Sequence, residues 1–168
     1  MVSTLLALYT MSDGCGSKFS IRHGVQCKKG GLITVRHNEL RDEICDLASK
    51  AYTPSAVRDE PKIYNSRSAR TTAEQPVKQN FKRDGEERGD ILIRSLWERG
   101  TDCVIDVRVT DTDAKSNISK DPAKVLEEQE KEKKKKYLQP CLEQRRHFTP
   151  FVVSVDGLIG REGKVLLK

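Results

Sequence analysis

Aromatic side chains are scarce in this chain, at 5% of 168 residues with a single tryptophan. Long apolar runs are missing too, and hydrophobic residues of all kinds reach only 36%. A membrane-crossing helix needs about 20 consecutive apolar residues. The N-terminal stretch MVSTLLALYTM is too short for that and lacks the basic leader of a secretory signal. No membrane partner is therefore expected. Cysteine is also used sparingly and in odd number, at positions 15, 27, 45, 103 and 141. That excludes the paired framework of a small secreted domain and favours a reducing, intracellular compartment.

Charge is what the chain has in quantity. Charged residues make up 33%, and 31 Lys and Arg against 25 Asp and Glu leave a net charge of +6, with a pI of about 9.1. Such a balance favours a polyanionic partner, although charge alone leaves ribosomal-type, membrane-surface and nuclease functions open. The length suffices for one domain with its own core.

Two apolar strand-like runs, in RGDILIRSLWERGTDCVIDVRVTDTD from Arg88 to Asp113, each hold an aspartate. Asp90 opens the first and Asp106 interrupts the second. A carboxylate in a buried strand is costly unless it is paired or binds a cation, so the two acids suggest a divalent-metal site. Alternation puts Ile105, Val107 and Val109 on one face and Val104, Asp106 and Arg108 on the other. The alternative is that Asp90 caps a strand entry and Asp106 pairs with an arginine. Strands are expected over about 90–97 and 103–110, joined as an antiparallel hairpin by a Gly-containing loop.

Toward the N-terminus, Cys15, His23 and Cys27 are spaced C-x7-H-x3-C among glycines, a donor set that suits structural zinc. Ser12 stands where a CxxC pair would begin, so the fourth ligand is a weak hydroxyl, water or Asp13. An unmetallated loop with free thiols is the alternative. Leu32, Ile33 and Val35 read as a short extended run, and Asn38 as the N-cap of an amphipathic helix over 39–51 that stops at Thr53-Pro54. Arg36 and His37 at the start of that helix are candidates to meet a phosphate. Pro61 to Tyr64 reads as a short edge strand, and 65–89 as a loop.

Asp121 and Pro122 open a second helix, expected over 122–138 and ended by Pro140. At 100° per residue, Lys133 falls within about 20° of Leu126, inside the apolar stripe that Tyr137 continues, while Lys136 lies about 80° away on the flank. A solvated, charge-laced helix accounts for Lys131, Lys134 and Lys135 but less well for Lys133. A strand over about 148–155 follows, then a helix from Gly160 that stops early, as though the chain were cut short.

The order helix, short strand, two strands with Asp90 and Asp106, helix, strand resembles the PD-(D/E)XK restriction-endonuclease-like core. The motifs resemble more narrowly the C-terminal endonuclease region of non-LTR retrotransposon polyproteins. They are the CGxxFSxxH…C knuckle from Cys15 to Cys27, the RHN with its helix (Arg36, His37, Asn38, Arg41, Asp42), the D…DV pair, and the KY ending of a lysine-rich helix (Lys133, Lys136, Tyr137). They span about Ser12 to Lys168. Ser12 replaces the family's first knuckle cysteine, Gly89 replaces the proline often found before the first acid, and no reverse transcriptase precedes them.

The resemblance implies an α/β (α+β) fold with a central mixed sheet flanked by helices and a small N-terminal zinc-knuckle-like appendage. It divides the chain into a leader (1–11), a degenerate knuckle (12–31) and a restriction-endonuclease-like domain (32–168). It implies Mg²⁺ or Mn²⁺ on Asp90 and Asp106, and Zn²⁺ on Cys15, His23 and Cys27. Catalysis would involve Asp90, Asp106, Lys133, Lys136 and Arg108, with Arg36, His37 and Arg41 meeting nucleic acid. DNA and RNA are the partners it implies, and the nucleus the location. Arg108 stands where the common motif has its lysine, and an always-protonated guanidinium is a poor base, so the lysine is expected on the helix. A non-catalytic nucleic-acid-binding remnant is the main alternative, and a purely structural fragment the third.

Overall fold

A computed structural model describes residues 15–16, 20, 23, 27, 32–63 and 87–168. The leader, Ser12 and most of the loop expected at 65–89 lie outside the described residues. The fold is α+β, a four-stranded mixed sheet with helices on it. In order come α1 (Leu32–Ala51), a 3-10 turn (Pro54–Ala56), β1 (Val57–Asp59), β2 (Ile91–Arg94), β3 (Asp102–Thr110), α2 (Pro122–Glu143), β4 (His147–Ser154) and α3 (Arg161–Leu166). The strands lie in the order β1-β2-β3-β4. β1, β2 and β3 are antiparallel neighbours, and β4 runs parallel to β3. A parallel pair needs a crossover long enough to hold a helix, and α2 supplies it.

The sheet is covered on both faces. Ile44 and Ala48 of α1 pack with Ile91, Ile93, Cys103, Ile105, Val107, Phe151 and Val153. Tyr137 and Cys141 of α2 pack with Leu92, Val104 and Phe148. β3 is thus buried from Cys103 to Val107 whichever way a side chain points, and the face holding Val104 and Asp106 is core as well as chemistry. Burial pushes the Cys103 and Cys141 thiols up to about 11 and the Cys45 thiol, also hydrogen-bonded to Asp59, up to about 12, so these cysteines act as small packing groups. Cys45, Cys103 and Cys141 are free thiols.

Several expected boundaries are corrected. Leu32 to Val35 belong to α1, so Asn38 is no N-cap. The edge strand is Val57–Asp59; of the stretch expected at Pro61 to Tyr64, Lys62 forms an isolated bridge to Arg88 and Tyr64 lies outside the described residues. α2 continues through the buried Pro140 to Glu143. Its start is as expected, with the Asp121 side chain accepting from the Ala123 and Lys124 amides. Among the described residues, no helix is long and apolar enough to cross a membrane.

Candidate functional site

The antiparallel pairing of β2 and β3 ends at Ile91 opposite Ile105. Beyond it, the next inward amide of β3, Val107 N–H, has no strand to meet. Asp90 fills that gap: its amide donates to the Ile105 carbonyl at 3.0 Å, and its Oδ2 accepts from Val107 N at 2.6 Å. The other oxygen, Oδ1, lies 3.0 Å from His37 Nε2 of α1. Asp90 is therefore both the strand cap that the simpler interpretation required and the link to a histidine.

Asp106 is 5% exposed, and Lys133 Nζ stands 2.6 Å from its Oδ2. The approach lies off the axis of a good hydrogen bond, so this buried oxygen has an ion-pair partner but no aligned donor. Burial drives the Asp106 carboxyl above the usual range, against the pull of Lys133, and the Asp90 charge adds to the rise. The hydrogen bond to Asp90 raises His37, despite burial, and the charges of Asp90 and Asp106 help. Asp90, Asp106, His37 and Lys133 thus form one electrostatic group at the end of β2.

A register match brings Lys133 there. On β3, Val104, Asp106 and Arg108 alternate onto one face, about 6.6 Å per two residues. On α2, Tyr137, Lys133 and Gln129 repeat each turn, about 6 Å per four residues. The two series run in opposite directions. Val104 shares a cluster with Tyr137, Asp106 meets Lys133, and Arg108 and Gln129 line one recess.

The remaining sequence candidates lie elsewhere. Lys136 donates to Tyr137 Oη at 2.8 Å and pairs with Glu87 at 3.1 Å, so it is separate from the Asp106 pair. The bond to Tyr137, then the pairing with Glu87, holds Lys136 above its usual range, which suits a fixed cation rather than a base. Arg108 pairs with Glu132 at 3.2 Å. Arg41 is tied to Asp42 at 2.8 Å and to Glu60 at 3.8 Å. Arg36 lines the recess with Arg108.

The His37–Asp90 contact is the functional feature that the sequence did not yield. Its signal was the spacing of 37, 40, 44 and 48, which puts His37 on the inward stripe of α1 once the helix begins at Leu32. Gly89 has a packing reason: a Cβ there would lie 2.3 Å from Val104 Cγ1, and its amide donates to Pro61 O. A proline before Asp90 would break that bond and collide with the core.

Near the N-terminus, one ligand atom from each of Cys15, His23 and Cys27 lies within 4.8 Å of the others, a group that could hold a metal ion. Cys15 Sγ is 3.0 Å from His23 Nε2, and the Cys27 amide donates to the His23 carbonyl at 2.8 Å. Two thiols and an imidazole suit zinc. The two aspartates offer hard oxygen donors, and Asp106 Oδ2 already has the Lys133 ammonium beside it.

Fold and site together define an α+β protein with an acid pair, a lysine from the crossover helix and a separate Cys/His group. No protein-family model matches the chain, and no curated protein matches it.

Proposed function

We propose that the chain is a Mg²⁺-dependent DNA endonuclease domain of the non-LTR retrotransposon type, with a restriction-endonuclease-like core, which nicks target DNA to free a 3′ hydroxyl for primed reverse transcription. The observation that carries this reading is the meeting of buried Asp106 with the Lys133 ammonium beside Asp90, from three different elements.

Asp90 and Asp106 would hold a divalent cation, which would supply Lewis acidity toward the scissile phosphate and a more acidic bound water. His37 holds Asp90 Oδ1 from behind and fixes that carboxylate's orientation. Lys133, which pairs with Asp106 in the free protein, hydrogen-bonds the attacking water in this reading. Arg108 exchanges Glu132 for a phosphate oxygen, and Lys136 adds positive field. Cys15, His23 and Cys27 would hold zinc, which would tie these three residues together on the side that meets nucleic acid. DNA and RNA as partners and a nuclear location belong to the same proposal.

A second reading, a nucleic-acid-binding remnant without turnover, is favoured by one feature. Both acids already have charged or hydrogen-bonding partners within the chain, Asp90 in His37 and Val107 N–H and Asp106 in the Lys133 ammonium. Nicking of supercoiled plasmid decides between them. The endonuclease nicks with Mg²⁺, and Asp106→Ala and Asp90→Ala do not. Nicking that survives both substitutions rejects the site, and salt-sensitive DNA binding without cutting supports the remnant.

A further inference from the structure

Asp106 has a cation of its own, and that cation closes the way to it. Lys133 Nζ stands 2.6 Å from Asp106 Oδ2, and the lysine side chain keeps 20% of its surface exposed. With the amine in this position, Oδ2 is shut off from solvent. An ion arriving from solution therefore cannot reach that oxygen until Lys133 moves. The contact is one of charge rather than an aligned hydrogen bond, which is the kind of hold that another cation can take over. Stripping a buried carboxylate of any partner is costly, so one cation leaves as the next arrives.

Among the described residues, the neighbouring cations are engaged elsewhere. Lys136 is held by Glu87 and by the Tyr137 hydroxyl, Arg108 by Glu132, and His37 by Asp90. Lys133 has a second hold that does not depend on Asp106. Its ammonium lies 5.5 Å from the centroid of the Tyr137 ring, one turn along α2, within the range of cation–π attraction. The amine thus keeps a favourable contact when it gives up the carboxylate.

We propose that the Lys133 ammonium is the built-in counter-ion of the acid pair, and that it and a divalent metal ion exclude each other at Asp106. That the competing cation is a divalent metal rests on the endonuclease reading; that Asp106 takes one cation at a time rests on the ion pair and the closed oxygen alone. The metal affinity of the free chain is then scaled down by the fraction of molecules in which the amine is away, a small fraction while the pair holds.

Calorimetric titration of the full chain with Mn²⁺ tests it. Lys133→Ala, which removes both the amine and the stem over the oxygen, binds Mn²⁺ about tenfold tighter than wild type. Lys133→Arg keeps the charge and binds it no tighter than wild type. The gain vanishes when Asp106→Asn is added to Lys133→Ala. Equal affinity in wild type and Lys133→Ala, a gain that persists in the double variant, or no Mn²⁺ binding by any of these chains overturns the proposal. Should Lys133→Ala unfold, Lys133→Gln removes the charge and keeps a polar stem, and Mn²⁺ raises its melting temperature more than that of wild type; an equal rise overturns the proposal. Plasmid nicking separates this inference from the reading beneath it. Tighter Mn²⁺ binding by Lys133→Ala, in a protein whose wild type never nicks, upholds the competition and overturns the endonuclease reading alone. A wild type that nicks, with equal Mn²⁺ affinity in both chains, overturns the competition alone.

Discussion

At the residue scale, Asp90 combines two roles that substitution separates. Asp90→Asn keeps an oxygen for Val107 N–H and a polar contact for His37, so it melts within a few degrees of wild type while divalent-metal binding, followed by calorimetry, is lost. Asp90→Ala leaves that amide unpaired and costs about 1–3 kcal/mol in denaturant unfolding. Lys133 behaves differently because its partner is buried. Lys133→Met strands the Asp106 charge at a cost of about 3 kcal/mol, and adding Asp106→Leu recovers most of it. A double variant as unstable as Lys133→Met would show that the ion pair is not the source of the loss. The sequence showed both acids because apolar strands so rarely contain them. It pointed to His37 but not to its partner Asp90, 53 positions away.

At the element scale, α2 is the member that joins everything. Its N-terminus was legible because Asp121 and Pro122 are local capping chemistry. Its C-terminus was not, since Pro140 and Cys141 are buried against the sheet and tertiary packing overrides the proline's local cost. The start of α1 was missed for a related reason: Ile33 and Val35 favour strands locally, but the helix takes them in. α2 also carries Glu130, which is 4% exposed and accepts from the Glu162 amide at the start of α3. Burial pushes its carboxyl up. A raised folded value means that stability is greatest below the ordinary carboxylate value and is lost as pH rises through the raised one. Glu130→Gln is therefore more stable than wild type at neutral pH, and thermal melts of the two converge below about pH 4.5.

At the scale of the whole molecule, the antiparallel hairpin of β2 and β3 was legible from alternation and turn chemistry. The pairing of β1 with β2 and the two-sided cover of β3 were not, because both depend on contacts across long stretches of chain. A net charge of +6 makes DNA binding salt-dependent. With two phosphate contacts, affinity falls about tenfold between 50 and 200 mM salt, and Arg108→Gln makes the log–log slope shallower by about 1. An unchanged slope would remove Arg108 from the phosphate contacts.

The opposed series along β3 and α2 carries a consequence for changes in the length of α2. Deleting one residue between Lys133 and Tyr137 turns the two side chains by about 100° against each other, so the amine and the ring can no longer both reach the strand. Asp106 would then lose its partner or Val104 its cover, and the helix tolerates replacement here far better than a gained or lost residue.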